Sequence, residues 1–248
     1  MENRRAIPEI NILSYVCVDS TNRILMDLAA NGSPVGTVVC ARRQYQGRGR
    51  LGRSFCSPEG GIYTSFLLPM PEYRSEPGFC LTAMASVAVK RTIIQVCRKK
   101  CGIKWVNDVI YNDRKVCGIL AQAVGDKVVM GIGVNYTTPM SEFPEELQEI
   151  AVSLYEDAKG VPPMEDFVRM LANNLYELCY NPDENWLDEY KGSSTILGNK
   201  VQIIQAGEVT GTGTAVSIDD LCRLHVVDEN GEETVLSTGE VSVRKSND

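Results

Sequence analysis

The sequence predicts an α+β protein that ends in a small all-β unit. Through roughly the first three quarters of the 248 residues, apolar strand-like runs alternate with segments of helical periodicity. After that point the pattern changes to short alternating strands separated by Gly and Asp-Glu-Asn-Gly turns, as in a small barrel. We therefore expect two domains, at residues 1–192 and 193–248.

The first part begins with the strand NILSYVCV and a helix, RILMDLAANG, with one apolar face. Ser20 or Thr21 is expected to cap the start of this helix and Gly32 to end it. Two strands, GTVVCARRQY and IYTSFLLP, follow on either side of the turn SPEGG. The next segment, FCLTAMASVAVKRTIIQVCRKKCG, predicts a long helix that closes at Gly102 after cationic residues.

Three β runs come next, GIKWV, VIYNDRKVCGILAQAV and KVVMGIGVNY. Tight turns are expected at Asn112-Asp113 and Gly125-Asp126. MEDFVRMLANNLYELCY and ENWLDEY are typical of amphipathic helices.

Composition limits the classes of function. The formal net charge of -7 argues against a surface built for nucleic acid or anionic membrane. The nine cysteines are scattered, odd in number and without a CxxC pair, which indicates free thiols in a reducing cytoplasm. No apolar run approaches the length of a membrane span, and the N-terminus lacks a signal-peptide pattern.

One basic segment stands out from this acidic chain. ARRQYQGRGRLGRS holds five arginines and three glycines. Gly47 to Gly52 matches the dinucleotide fingerprint G-x-G-x-x-G, and Gly47 to Ser54 nearly matches a P-loop. Both fingerprints need a helix directly after the glycines, whereas SPEGG follows here and cannot start one. The alternatives are a nucleic-acid contact, a plain solvated loop and, our preferred interpretation, a loop that orders around a small anionic ligand.

Other candidate residues are compatible with the same ligand. Lys104, within GIKWV, and Lys115 could neutralise a carboxylate and a phosphate brought together, and the alternative for each is a surface lysine at a strand end. Gly131 and Gly133 lie on one face of a strand, where they leave room for a ligand or for close packing. No nucleophile, base and orienting group are combined, so we expect charge stabilisation rather than covalent catalysis.

Taken together, the order of DSTN, GRGRLGRSF, KWVND, RKVCGIL, GIGVN and LSTGEVSVR resembles that of the biotin–protein ligases. The resemblance extends from about residue 15 to residue 245. It implies a mixed β-sheet flanked by helices, similar to class II aminoacyl-tRNA synthetases, with an SH3-like C-terminal barrel. It also implies an enzyme that makes biotinyl-5′-AMP from biotin and ATP with Mg²⁺, then biotinylates a lysine of a biotin carboxyl carrier protein.

The resemblance implies site residues by motif position. The implied catalytic residues are Arg48, Lys104, Asp108 and Lys115. Those implied for biotin are Ser20, Thr21, Asn22, Gln44, Gly47, Arg48, Gly49, Arg50, Lys104, Gly118, Gly131 and Gly133. Those implied for ATP are Arg48, Arg50, Arg53, Phe55, Lys104, Asn107, Asn135 and Arg244, and no protein-held metal ligands are implied.

Three residues depart from the family pattern. Val106 stands where proline is common, Phe55 where tryptophan is frequent and Cys117 where alanine is usual. No winged-helix region precedes the first motif, so we expect a ligase that does not bind operator DNA. Together with the thiols and the absence of an apolar span noted above, the expectation is a cytoplasmic enzyme without membrane contact, and a homodimer is an open alternative. The alternatives are a lipoate or octanoyl ligase of related fold, a biotin-sensing protein without catalysis and a nucleic-acid-binding protein.

Overall fold

The larger unit is built around one β-sheet in the computed structural model, which describes residues 4–70, 77–205, 207–237 and 241–245. Its strands are β1 (Asn11–Val18), β2 (Thr37–Gln44), β3 (Gly61–Pro69), β4 (Gly102–Lys104), β5 (Asp108–Tyr111), β6 (Arg114–Val124) and β7 (Lys127–Asn135). They lie in the order β1-β2-β3-β7-β6-β5-β4. Only the β1–β2 pair in that order is parallel, so the described sheet is mixed, as predicted.

Helices cover both faces of this sheet. They are α1 (Thr21–Ala30), α2 (Pro77–Thr92), α3 (Glu145–Gln148), α4 (Met164–Tyr180) and α5 (Trp186–Gly192). On one face α1 packs on β2, β3 and β7, burying Leu25 with Leu67 and Val129. On the other face α2 packs against α4 and the sheet, burying Phe66 and Met130. Both faces of the central strands are therefore apolar where they lie under helices.

The C-terminal unit is a second, five-stranded antiparallel sheet. Its strands are β8 (Lys200–Gln205), β9 (Glu208–Ile218), β10 (Leu224–Val227), β11 (Glu233–Leu236) and β12 (Val241–Lys245). The predicted fold class, a mixed sheet flanked by helices with a small β unit after it, is confirmed. The exact boundary between residues 192 and 193 stays a prediction.

The long helix ends earlier than its sequence predicts. After α2 the chain continues as one π-helical turn, Ile93–Cys97, and stops at Arg98, whose φ of 57° is left-handed. Gly102 is not its cap but the first residue of β4. A Cβ at this position would overlap the methyl group of Thr195. The two segments are held this close by a hydrogen bond, in which the Ile103 amide donates to the Ser193 carbonyl at 2.7 Å. Gly102 thus lets β4 pack closely against the Ser193–Thr195 segment that leads from α5 to β8, which local sequence does not reveal.

The cap of α1 also differs from the prediction. Ser20 occupies the N-cap position, but its side chain makes no capping hydrogen bond. Instead, the first amide of the helix, that of Thr21, donates to the side chain of a distant residue, Gln44, whose Oε1 lies 2.8 Å away. Other predicted turns are confirmed, with left-handed φ at Asn112, Asp113 and Gly125.

One described helical segment, Cys80–Cys97, is long and apolar enough to cross a membrane by length and composition, with a mean hydropathy of 1.3. This corrects the expectation that no apolar run approaches that length. Within the protein 61% of the segment is buried, where α2 packs against α4 and α5. Its apolar composition is accounted for by its place in the core.

Candidate active site

A pocket opens where β3, β6 and β7 extend beyond the cover of α1. On that face of the sheet the residue pairs change along the strands, from Leu67 beside Val129 to Ser65 beside Gly131 and Tyr63 beside Gly133. The same alternation that buries α1 therefore produces a polar, glycine-lined floor two residues further on. The start of α1, the Arg-Gly loop (Gly47 to Phe55) and the β4–β5 turn close its sides.

Most of the predicted site residues meet in this pocket. Those that line it are Ser20, Thr21, Asn22, Gln44, Arg48, Gly49, Arg50, Arg53, Phe55, Lys104, Asn107, Asp108, Lys115, Gly118, Gly131 and Gly133. Residues separated by more than a hundred positions in the chain thus share one cavity.

Gln44 joins the start of α1 to the Arg-Gly loop. Its Oε1 accepts hydrogen bonds from the Thr21 amide (2.8 Å) and the Thr21 hydroxyl (3.0 Å). Its Nε2 donates to Ser57 Oγ at 2.9 Å, and that hydroxyl in turn donates to the Phe55 carbonyl at 2.9 Å. These groups make this end of the pocket polar, and none of them is charged.

A second set of hydrogen bonds lies deeper. Ser65 Oγ is within hydrogen-bond distance of both Thr21 Oγ1 (2.8 Å) and Asn22 Oδ1 (2.6 Å). The Asn22 amide group donates to Gln122 Oε1 at 2.8 Å. A Cβ on Gly131 would overlap the Asn22 carboxamide, so glycine is required for this arrangement. The side chains of Ser65 and Asn22 are buried, and their mutual bonds fix which polar atoms face the cavity.

The Arg-Gly loop is folded back on itself. Arg48 and Ser54 form an antiparallel bridge, the Gly49 amide donates to the Arg53 carbonyl (2.7 Å), and the Phe55 amide donates to the Gly47 carbonyl (2.9 Å). A Cβ on Gly47 would overlap the Phe55 carbonyl, so this glycine permits the close turn.

The space above the glycine floor is occupied. The Phe55 ring lies against Gly118 and Gly133, where a Cβ on either would meet it. Lys115 Nζ lies 5.9 Å from the centre of the same ring. Of the two alternatives predicted for Gly131 and Gly133, room for a ligand or close packing, the structure shows close packing, because Asn22 and Phe55 lie against them. A ligand lying flat on Gly118 and Gly133 would have to displace the ring.

The opposite end of the pocket is cationic. Lys104 lines it at the end of β4, and Lys115 Nζ pairs with Asp108 Oδ1 at 2.6 Å. Arg50 Nη1 donates to Asn107 Oδ1 at 3.0 Å, while Asn107 Nδ2 donates to the Ile119 carbonyl at 2.8 Å. The loop is thereby anchored to the β4–β5 turn. Burial lowers the pKa of the Arg50 guanidinium, which nonetheless stays charged at neutral pH.

Two of the predicted residues that the structure describes in full do not line the pocket, Gly47 and Asn135. Gly47 is buried within the loop, and Asn135 is buried with its amide group within 3.2 Å of the Val152 carbonyl and 3.4 Å of the Lys115 carbonyl. Arg244 is on β12, and its side chain lies outside the described part of the structure.

Several lining residues were not identified from the sequence, namely Ser54, Tyr63, Thr64, Trp105, Ile119, Leu120 and Ile132. Period-two spacing from Gly118 points to Leu120, and the register places Leu120 opposite Gly131. The spacing of the sequence carries no comparable signal for Trp105, which lies in the turn between β4 and β5.

Within the described residues, no group of three or more His, Cys, Asp and Glu side chains is placed to hold a metal ion. Asp108 is the single carboxylate among the described residues that line the pocket.

Two protein families match this chain. Residues 14–135 match the Biotin/lipoate A/B protein ligase family, and residues 196–244 match the biotin protein ligase C-terminal domain. A biotin–[acetyl-CoA-carboxylase] ligase of Mycobacterium tuberculosis is 30% identical over 230 residues, covering 90% of this chain and 85% of that protein. The bifunctional ligase/repressor BirA of Bacillus subtilis is 37% identical over 154 residues, covering 60% of this chain. The match spans 47% of that relative's length.

Solved structures agree with the sequence matches. A biotin protein ligase from Aquifex aeolicus in complex with biotin and ATP superposes with a TM-score of 0.80 at 29% identity, covering 95% of this chain and 99% of that one. A Leishmania major biotin protein ligase in complex with biotinyl-5-AMP has a TM-score of 0.64 at 24% identity, covering 94% of this chain and 100% of that one. The second likeness supports the fold alone.

Proposed function

Because this chain belongs to the biotin–protein ligase family, we propose that it activates biotin with ATP as biotinyl-5′-AMP and transfers the biotinyl group to a lysine of a biotin carboxyl carrier protein. The observation that best supports this function is the division of the pocket into two ends. Thr21, Asn22 and Gln44 form an uncharged polar end, and Lys104 with the loop arginines forms a cationic end. Biotin has the matching form, with an uncharged ureido ring at one end and a carboxylate at the other.

The first step joins two anions. A carboxylate oxygen of biotin bonds to the α-phosphorus of ATP as the bond to pyrophosphate breaks. Cationic groups fixed around the reacting atoms lower this barrier, because they stabilise charge that would otherwise repel. We assign Lys104 to the carboxylate and α-phosphate oxygens and the loop arginines to the phosphates. Phe55, Asn107 and Arg244 are assigned to the nucleotide, and Asn135 acts through the backbone of Lys115, near whose carbonyl its amide group lies.

In the second step the acceptor lysine amine attacks the acyl carbonyl. A C–N bond forms, the C–O bond to AMP breaks, and the amine gives up a proton. We assign Asp108 and Lys115 to this step, since their ion pair lies at the cationic end of the pocket. The Arg-Gly loop covers the mixed anhydride between the two steps and limits its hydrolysis.

Mg²⁺ fits this site as part of the MgATP substrate. Among the described lining residues, Asp108 alone supplies a carboxylate, and Asn107 adds an amide oxygen. That set is too small for a protein-built cage but suits an ion carried mainly by substrate phosphates. Bound there, Mg²⁺ would shield the charge of the departing pyrophosphate.

Location and assembly are further parts of the proposal. No disulfide joins the cysteines in the described part of the structure, which supports a reducing cytoplasm. β1 is an edge strand, with Tyr15 40% and Val16 78% exposed, and it is the edge at which a second copy of the chain could pair in a homodimer. Light scattering across a concentration series measures the oligomeric state.

Biotin-dependent exchange of pyrophosphate with ATP tests the activation step. We expect exchange with biotin and none with lipoate, because the polar end of the pocket matches a ureido ring rather than an apolar acyl chain. Exchange with lipoate alone would indicate the related acyl ligase. A failure with both, while biotin still binds calorimetrically, would indicate a biotin-sensing protein.

Lys104→Ala tests the central residue of the cationic end. We expect the fold to be retained and biotinyl-AMP formation to fall by about 100-fold or more, the usual size of a lost transition-state charge contact. Lys127→Ala is the matched control, because Lys127 Nζ donates to the Ser33 carbonyl outside the pocket. Near wild-type adenylation by Lys104→Ala would remove Lys104 from the mechanism.

A further inference from the structure

The indole of Trp105 connects the pocket with the C-terminal sheet. Trp105 lines the pocket between Lys104 and Asn107, yet it is only 4% exposed. Its Nε1 donates to the carbonyl of Cys222 at 2.9 Å, in the turn between β9 and β10. A buried indole N–H needs such an acceptor, because leaving it unpaired costs the desolvation free energy of the group.

The turn that presents this carbonyl, Asp219 to Arg223, is organised by one carboxylate. Asp219 Oδ1 accepts hydrogen bonds from the amides of Leu221 (3.0 Å) and Arg223 (2.8 Å), and Oδ2 pairs with Arg223 Nε at 2.6 Å. The Cys222 amide donates back to the Asp219 carbonyl at 3.0 Å, with Cys222 at a left-handed φ of 59°. The direction of the Cys222 carbonyl therefore depends on the Asp219 side chain.

Other contacts also fix the backbone of β4 and of the β4–β5 turn. Tyr190 on α5 donates from its hydroxyl to the Val106 carbonyl at 3.3 Å. The Thr195 amide donates to the Ile103 carbonyl at 2.9 Å. Cys222 Sγ lies 3.9 Å from Cys80 Sγ on α2, which places the turn firmly against the larger unit.

We propose that the Asp219–Arg223 turn of the C-terminal sheet positions the β4–β5 turn for adenylation, with Trp105 and Asp219 as positioning residues. This inference rests on the proposed function, in which Lys104 and Asn107 act on biotin and ATP. Trp105 couples the position of the Asp219–Arg223 turn to that of Lys104. Its indole is hydrogen-bonded to the Cys222 carbonyl, and its backbone is covalently joined to Lys104. Neither residue requires contact with the reacting atoms for this role.

Trp105→Phe removes the donor and keeps an aromatic ring. We expect kcat for biotinyl-AMP formation to fall by about 10- to 100-fold, the size of effect that a small displacement of reacting groups produces. The Kd for biotin alone should change by a smaller factor than kcat, because the Thr21 and Gln44 end is unaltered and only the carboxylate contact of Lys104 is disturbed. Unchanged kcat would overturn the role of the Trp105–Cys222 hydrogen bond.

Asp219→Ala and Asp228→Ala form a matched pair. Asp228 organises the β10–β11 turn in the same way, its Oδ1 accepting from the amides of Asn230 and Glu232, both at 2.8 Å. Both variants lose a turn-forming carboxylate from one sheet, so both should lower Tm. We expect only Asp219→Ala to lower kcat, and Asp219→Asn to lower it less, because its side-chain oxygen can still accept from the Leu221 and Arg223 amides. Equal kcat for the two Ala variants would overturn the proposal.

Fluorescence separates this proposal from the proposed function. The chain has two tryptophans, so Trp186→Phe leaves Trp105 as the single indole reporter. In that background we expect Asp219→Ala to shift Trp105 emission to longer wavelength and Asp228→Ala to leave it unchanged. A wild-type protein that forms no biotinyl-AMP would refute the proposed function while this readout still reports on the turn. An unshifted spectrum in Asp219→Ala would refute the coupling itself.

Discussion

At the residue scale, the absence of a side chain at Gly131 determines where the Asn22 carboxamide lies. Gly131 lies beneath Asn22, whose Oδ1 is within 2.6 Å of Ser65 Oγ and whose Nδ2 donates to Gln122. Each partner of Asn22 is on a different strand, so the carboxamide has one orientation that satisfies all of them. In the proposed function, the atoms left facing the cavity contact the ureido ring of biotin.

Gly131→Ala is expected to weaken biotin binding by about tenfold or more. The added methyl group overlaps the Asn22 carboxamide, and relieving such an overlap costs about 1–3 kcal/mol, which corresponds to roughly tenfold in Kd for each 1.4 kcal/mol. Calorimetric titration with biotin measures the change. Gly192→Ala is the control, since a Cβ there meets nothing within 4 Å. Equal biotin affinity in both variants would show that Asn22 does not contribute to recognition.

The sequence predicted the kinds of residue in this site better than their contacts. Glycines at alternate positions and arginines in a loop can be read from local spacing. The bonds among Asn22, Ser65 and Gln122 cannot, because they depend on the register of three strands that are distant in sequence. For the same reason the sequence left two alternatives open for Gly131 and Gly133, and the packing of Asn22 and Phe55 against them is seen only in the structure.

At the scale of elements, the Arg-Gly loop is anchored at two places. Gln44 and Ser57 hold its base, and Arg50 ties its far side to Asn107 on the β4–β5 turn. The local sequence predicted the loop and excluded a following helix, because Ser57 to Gly61 forms a turn into β3. It gave no indication of the Asn107 anchor, which requires the strand order.

Arg50→Ala should let activated biotin escape. Without its anchor on Asn107 the loop covers the mixed anhydride less well, so we expect faster release and hydrolysis of biotinyl-AMP in the absence of acceptor. Single-turnover chromatography of labelled adenylate measures this loss. Arg43→Ala serves as the control, since Arg43 is exposed on β2 and does not line the pocket. Equal adenylate retention in the two variants would contradict the anchoring role.

The C-terminal sheet carries the single histidine of the chain, on β10. His225 Nδ1 lies 2.9 Å from Glu233 Oε1, and Nε2 lies 3.4 Å from Asp219 Oδ2 without hydrogen-bond alignment. The hydrogen bond with Glu233 is the main cause that raises the pKa of His225 above 6.5, and burial partly opposes it. A raised pKa means that the folded state binds the proton more tightly than the unfolded chain.

Thermal stability should therefore depend on pH through His225. The contribution is fully present below about pH 6.5 and is lost as the pH rises through the higher pKa of the folded state. Its size should be at most about 1 kcal/mol, or roughly 2–4 °C in Tm. Calorimetric scans of the wild type and His225→Gln across this range measure it. A pH slope equally steep in both proteins would assign the effect to other groups.

At the scale of the whole molecule, the two sheets share one apolar core. Ile103 and Trp105 of the larger unit belong to the same buried cluster as Val201, Leu224 and Val226 of the C-terminal sheet. The sequence predicted two units from the change in pattern near residue 192, but not how they pack. The packing depends on features such as Gly102, whose role became clear only from its approach to Thr195.

Because the core is continuous, unfolding should be a single cooperative transition. Leu224 is fully buried in β10, and Leu224→Ala should cost about 2–5 kcal/mol. That loss should lower the Tm of the whole transition by roughly 5–15 °C without splitting it, because the C-terminal sheet and the pocket turn lose support together. Differential scanning calorimetry, with near-ultraviolet dichroism of Trp105 in the Trp186→Phe background, follows both units. Two transitions, with only the lower one shifted by Leu224→Ala, would show that the units fold independently and that the contact with Trp105 is made only after each has folded.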